Sequence, residues 1–160
     1  MEPANTAVIR ALYAAFARRD GAAMATCYAP DAHFSDPVFT DLRGAEIGAM
    51  WTMLCERAKD LEIRLVEATS EGDIGHARWE ADYPFSQTGR IVHNRIFAHF
   101  TFRDGRIIQH VDTFPLWKWA SMALGAKGAL LGWMPAVQAK IRAQADKGLR
   151  AFMAKDGSGH

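Results

Sequence analysis

The sequence predicts one α+β domain in which a curved antiparallel sheet wraps around helices from the N-terminal half, with a helical extension at the C-terminus. Three observations predict it. Apolar residues recur at three- and four-residue spacing as far as Leu54 and again after Trp117, whereas from Leu61 to Phe114 the period is two. Three glycine-bearing pairs, Gly72-Asp73, Thr88-Gly89 and Asp104-Gly105, divide that alternating region into four segments at hairpin spacing. Helices first and strands afterwards segregate the helices to one face of an antiparallel sheet, and 160 residues that are 49% hydrophobic suffice for one core.

Asn5 or Thr6 can cap a first helix whose apolar side is Val8, Ile9, Leu12, Tyr13 and Phe16, with Arg10, Arg18 and Arg19 facing away. Asp20-Gly21 stops it, and a short second helix through Met24 and Tyr28 ends at Ala29-Pro30. Residues 32–35 read as a short strand cut off at Asp36-Pro37, because proline lacks an N–H and disfavours helical geometry in the residue before it. Asp36 therefore stands at a strand end. Gly44-Ala45-Glu46 opens a third helix with Ile47, Met50, Trp51 and Leu54 on one side. The alternating strands are Leu61 to Thr69, Ile74 to Phe85, Ile91 to Phe102 and Arg106 to Phe114.

Beyond Trp117 the chain is rich in Trp, Leu, Met, Ala and Gly, and Gly125, Gly128 and Gly132 favour short helical pieces folded back on the body. Trp117, Trp119, Leu130, Leu131 and Trp133 are expected to find a partner surface, as a lid or at a subunit contact. From Pro135 onward Val137, Ile141, Ala145, Leu149 and Phe152 mark a last amphipathic helix. The expected organisation is a body over residues 1–114, an extension of the same domain over 115–154 and a disordered end over 155–160.

Composition narrows the function. Net charge is +1, with 12 Lys/Arg against 16 Asp/Glu in residues 1–116 and 7 against 2 in 117–160, which leaves no strong phosphate footprint for nucleic acid. Met1 to Thr6 is polar and acidic where a secretory signal needs positive charge, so a cytoplasmic protein is expected. Cys27 and Cys55 read as reduced core thiols. No HExxH or paired-cysteine element supplies a metal site, and no phosphate-cradling or dinucleotide glycine loop is present, so neither metal nor cofactor is expected.

The segment from Tyr28 to Pro37 after a helical hairpin, and the closing segment from Asp104 to Asp112, resemble the nuclear transport factor 2-like superfamily, in particular its ketosteroid isomerase and polyketide cyclase branches. The resemblance covers residues 5 to about 114 and implies a cone-shaped pocket for a small hydrophobic molecule. Matched residue by residue, Asp36 falls where ketosteroid isomerases keep their aspartate base. Ala98 falls where they hold a protonated aspartic acid, and Leu12, beside Tyr13, where they hold a hydrogen-bonding tyrosine. Ile96-Phe97-Ala98 lacks the Asp-Arg-Asp arrangement of epoxide hydrolases of this fold. Polyketide cyclases, with an aspartate acid/base and a nearby histidine, match His110 and Asp112 better.

Strand alternation puts Ile108, His110, Asp112 and Phe114 on one side, and likewise Asn94, Ile96, Ala98 and Phe100; the resemblance turns both sets to the cavity. The candidate acid/base residues are Asp36, His110 and Asp112, with Asn94 as orienter, since a histidine beside a carboxylate in a semi-apolar site can move protons near neutrality. Tyr13, Phe16, His33, Trp51, Trp79, Tyr83, Asn94, Ile96, Ala98 and Phe114 are candidates for the wall. Plain structural uses compete: an Asx turn for Asp36, backbone hydrogen bonds for His110 and Asp112, ordinary core for the aromatics. His76, Arg78, Glu80 and Asp82 read as a solvated outer face or a subunit contact. The expected function is a cofactor-independent acid/base enzyme of isomerase, cyclase or dehydratase type; the alternative is a non-catalytic binder of an apolar or lipid-like ligand. A homodimer is the expected assembly, and contact with a membrane surface is the less favoured use of the C-terminal third.

Overall fold

The computed structural model describes residues 2–57 and 60–157. The chain runs α1 (Ala4–Ala17), α2 (Gly21–Ala25), β1 (Tyr28–Ser35), β2 (Leu42–Arg43), α3 (Ala45–Arg57), β3 (Glu62–Glu71), β4 (Ile74–Pro84), β5 (Ile91–Arg103), β6 (Arg106–Thr113), α4 (Leu116–Leu124), α5 (Ala126–Leu131) and α6 (Pro135–Gly157). Six strands form one sheet in the order β2-β1-β6-β5-β4-β3. Every neighbouring pair is antiparallel except β1 and β6, which run parallel. The α+β architecture is as predicted, and that one parallel seam is added to it.

The meander forms for the local reasons read from the sequence. Asp104 and Gly105 both take positive φ, 53° and 77°, the type I′ geometry whose twist matches a two-residue hairpin. Along β5 burial alternates without a break from Ile91 to Phe100, so Val92, Asn94, Ile96, Ala98 and Phe100 face inward. On β6 a register shift inserts one extra residue opposite Thr101 and Phe102. Ile107 thereby takes the buried position, and Ile108, expected on the inner face, is displaced to a half-buried one.

The N-terminal third differs in detail from the sequence reading. Neither Asn5 nor Thr6 caps α1: the helix starts at Ala4, Asn5 Nδ2 donates to Gly72 O at 2.9 Å, and Thr6 Oγ1 lies 2.6 Å from Ser70 Oγ. Both side chains tie the helix to the β3–β4 turn instead. The α1 stripe of Ile9, Leu12, Tyr13 and Phe16 is buried against β3 and β4. Gly75 lets it come close, because a Cβ there would stand 2.9 Å from both Ile9 Cδ1 and Phe102 Cε2. Asp20 caps α2 by accepting from Ala23 N, and α2 ends at Ala25, so Tyr28, Ala29 and Pro30 belong to β1 rather than to a helix. Pro30 is tolerated there because it falls in the irregular stretch between the Tyr28 and His33 pairings with β6.

Trp51, Phe34, Phe100, Met50 and Ile107 centre the main core, and Leu149 from α6 joins it. A second cluster of Val92, Leu116, Trp119, Ala120 and Ala123 fastens α4 to the start of β5. The C-terminal third folds back in short pieces, as its glycines predict. Of the five large apolar residues expected to find cover there, only Trp119 is buried; Trp117, Leu130, Leu131 and Trp133 remain exposed. The reason is geometric: α4 turns one side to the sheet and α5 packs on its back, touching α4 through Gly128. Helix α6 continues to Gly157, into the stretch expected as a disordered end, and residues 158–160 of that stretch lie outside the described residues.

Candidate functional site

Between the concave side of the sheet, α1, α3 and the C-terminal helices lies a cavity of about 350 Å³. Its wall is largely apolar, with Phe16, Met50, Trp51, Trp79, Ile96 and Phe114 among the contributors. The polar groups that reach it include Asp36, Tyr83, Asn94, Asp112, Gln144 and, from the end of α3, Arg57. A few polar groups in an apolar enclosure are what orients a small hydrophobic ligand. A second depression of about 630 Å³ lies between α2, β1, α3 and the end of α6, and its lining is mostly Ala, Gly and backbone around Tyr28 and Thr52. It holds none of the acid/base candidates.

At the floor of the first cavity a chain of hydrogen bonds converges on Asp112. Trp51 Nε1 donates to Tyr28 Oη at 3.1 Å, Tyr28 Oη lies 2.8 Å from His110 Nδ1, and His110 Nε2 lies 2.7 Å from Asp112 Oδ1. A tyrosine oxygen that accepts from an indole has its own proton to give, so Tyr28 donates to Nδ1 and His110 donates from Nε2 to the carboxylate. Every donor along the chain points towards Asp112. Trp79 Nε1 approaches the same oxygen at 3.5 Å. His110 is fully buried and enclosed by Phe34, Trp51 and Phe100, with ring centroids 4.9, 6.3 and 4.3 Å away.

Asp36, at the end of β1, does two things at once. Its Oδ1 accepts from Val38 N at 2.7 Å and Phe39 N at 2.6 Å, the Asx turn that its position before Pro37 suggests. Its carboxyl also faces the cavity, where burial above all, and then the negative charge of Asp112, raise its pKa to about 7 against the pull of those two backbone N–H groups. Arg142 of α6 donates to Pro37 O at 2.9 Å and so pins the last helix to this turn.

The remaining candidates divide. Phe16, Trp51, Trp79, Tyr83, Asn94, Ile96 and Phe114 line the cavity with Asp36 and Asp112. Tyr83 accepts from Trp119 Nε1 at 2.8 Å, and burial raises its phenol pKa. His110 sits behind Asp112 rather than at the wall. Ala98 is buried but does not reach the cavity. Tyr13 lies in the core beside Trp79, with ring centroids 5.2 Å apart. Its pKa is raised well above the usual value by burial and by the charge of Asp112, and its hydroxyl has no hydrogen-bond partner among the described residues, although the Trp79 N–H is near enough to act on it. His33 is a correction: the inward positions of β1 are Ala32 and Phe34, so His33 points to solvent, 3.5 Å from Asp41. On the outer face His76 and Arg78 are exposed, and Glu80 and Asp82 pair with Arg64, as an alternating strand requires. Among the described residues no group of three or more His, Cys, Asp or Glu side chains is placed to hold a metal ion.

Sequence reasoning missed Tyr28, assigned to a helix, and the cavity contribution of Arg57, whereas Trp119 and α6 close the cavity as a lid from the C-terminal third would. Tyr28 carried little signal, since only Tyr28 and Phe34 between Tyr28 and Ser35 favour a strand, while Ala29, Pro30, Asp31 and Ala32 do not.

A curved sheet closed over helices around an internal cavity defines a nuclear transport factor 2-like domain. Within that class the chain belongs to the SnoaL-like domain family, whose model matches residues 9–110. Solved structures agree on the fold. A ketosteroid isomerase-like protein from Catenulispora acidiphila is 15% identical, with TM-score 0.64 over 72% of this chain and 91% of that one. A protein from a Jannaschia species, described provisionally as a SnoaL-like polyketide cyclase, is 19% identical, with TM-score 0.66 over 78% and 94%. An epoxide hydrolase from M. tuberculosis is 16% identical, with TM-score 0.64 over 81% and 96%. No curated protein sequence matches the chain.

Proposed function

We propose that this protein binds a small hydrophobic molecule bearing a carbonyl or hydroxyl group and moves a proton on it, with Asp112 as the base and Asp36 as its acid partner. The observation that carries the reading is the one-way chain from Trp51 through Tyr28 and His110 to a carboxylate on the cavity wall. Those donors occupy Asp112 Oδ1 and hold the group in one orientation, which leaves its other oxygen for a ligand. Asp36, with a pKa of about 7, is partly protonated at neutral pH and can give a proton to an oxygen as Asp112 takes one from the neighbouring carbon. Asn94, on the cavity wall, orients the polar end of the ligand in this reading. Such paired transfer serves an isomerisation, a cyclisation or a dehydration without a cofactor.

The second reading is a binder that does no chemistry. It is favoured by Ala98, which puts no donor where isomerases of this fold stabilise an oxyanion. The two separate by a direct test: a panel of apolar ketones is incubated with the protein in D2O, and exchange of the hydrogen beside the carbonyl is followed by NMR. Exchange in the wild type that disappears in Asp112→Asn supports catalysis. Tight binding with no exchange of any ketone supports the binder.

A further inference from the structure

We infer that the corner formed by α4 and α5 is a membrane-docking face fitted to an anionic lipid surface. Four of the eight large hydrophobic side chains exposed among the described residues gather there: Trp117, Leu130, Leu131 and Trp133, at 45, 71, 38 and 64% exposure. They are contiguous, because Trp117 Nε1 donates to Ala129 O at 3.0 Å and Trp133 Nε1 to Leu130 O at 2.9 Å. Both indole N–H groups are thus satisfied inside the corner, and what the rings show to solvent is apolar.

Along the chain that builds this patch the charge is of one sign. No Asp or Glu occurs between Asp112 and Asp146, whereas Lys118, Lys127 and Lys140 are exposed in that interval and make no ion pair among the described residues. Lys127 and Leu131 are four apart on α5 and share a side. Arg90 is drawn in as well, its Nε donating to Met122 O at 3.0 Å. Large apolar side chains can enter the boundary between headgroups and acyl chains while long cationic ones stay at the level of the lipid phosphates, which matches an anionic bilayer in both respects. A second copy of the chain fits less well. A two-fold contact would bring the same cations face to face with no carboxylate between them. No helix among the described residues is long and apolar enough to cross a membrane, so the contact is a surface one.

The test mixes the full chain with phosphatidylcholine vesicles containing about one third phosphatidylglycerol, with pure phosphatidylcholine as control, and reads the bound fraction by co-sedimentation. Binding about tenfold tighter to the anionic vesicles is expected, weakened by about 0.5 M NaCl and accompanied by a blue shift of tryptophan emission. Leu130→Ser combined with Trp133→Ser changes only exposed positions; it should keep the melting temperature and lose binding. Lys118→Gln combined with Lys127→Gln should lose only the preference for anionic lipid. Absence of wild-type binding to anionic vesicles overturns the inference, as does full binding by the Leu130/Trp133 variant. So does a wild-type dimer that the same variant converts to a monomer, since the face would then be covered by a second copy.

Discussion

The hydroxyl of Tyr28 fixes which nitrogen of His110 carries hydrogen, although the two residues are 82 positions apart in the chain. The phenol accepts from Trp51 and gives its own proton to Nδ1, so Nε2–H is left to face Asp112. The Asp112 carboxylate, which only accepts, requires the same Nε2–H, so the two partners agree on one tautomer.

Tyr28→Phe tests this relationship. It leaves the Trp51 N–H and His110 Nδ1 without their partner, at a cost of about 1–3 kcal/mol in stability. The Nδ1 shift, read by NMR, should move as that nitrogen loses its hydrogen bond while Nε2–H stays on Asp112, and any turnover should fall. An unchanged Nδ1 shift would remove Tyr28 from the site.

Asp112→Asn and His110→Ala should part company. The asparagine keeps an oxygen for His110 Nε2–H, so the melting temperature should change little while proton exchange drops about 100-fold or more. His110→Ala opens a hole in a fully buried position and strands both Tyr28 and Asp112, at a cost of about 3 kcal/mol. The complete burial of His110 is what separates the two variants. Thermal denaturation of the two proteins side by side decides it.

Asp36 gives the protein a pH dependence of known sign. An unfolded aspartate loses its proton at about pH 3.9, whereas the folded chain holds it to about pH 7. In that window the folded state binds more protons, so stability is greatest at the acid end and is lost as pH rises through 7. Asp36→Asn, which keeps the oxygen that accepts from Val38 and Phe39, should flatten the fall in melting temperature between about pH 5 and 8. A variant whose melting temperature falls over that range as steeply as the wild type's would contradict the assignment.

Gly128→Ala should be among the most damaging single-methyl changes in the chain. The added Cβ would stand 1.9 Å from Ala120 O, backbone that α4 cannot move without disturbing Trp119 and Leu116. A loss of about 2–3 kcal/mol is expected, measured by denaturant unfolding, and a loss below about 0.5 kcal/mol would show that α5 swings away freely.

Most of the fold was legible because its signals are local. The strand from Ile91 to Phe102 announces itself by alternation and a glycine turn at each end, and the α1 stripe by its spacing. Asp36 and Asp112 were legible as polar residues at strand ends. What was hidden depends on contacts distant in sequence. Nothing near Tyr28 says that it will meet His110, because β1 is ordered by its parallel seam with β6. That the C-terminal third covers something was legible from its apolar residues, but nothing near Ile141 or Gln144 singles them out for the cavity wall. The bulge that exchanges Ile107 for Ile108 is likewise set by the partner strand and not by the residues themselves.

The seam between β1 and β6 also sets an order of events in folding. The four-strand meander from β3 to β6 is joined by short turns and can assemble with little loss of chain entropy, but β1 must wait for a strand that is synthesised some seventy residues later. Until then its inner face, Ala32 and Phe34, has only α3 and β2 beside it, and Tyr28 has no histidine to meet. The acid/base constellation therefore comes into being with the closure of this long loop, and a chain emerging from the ribosome has no site before Asp112 has cleared the exit.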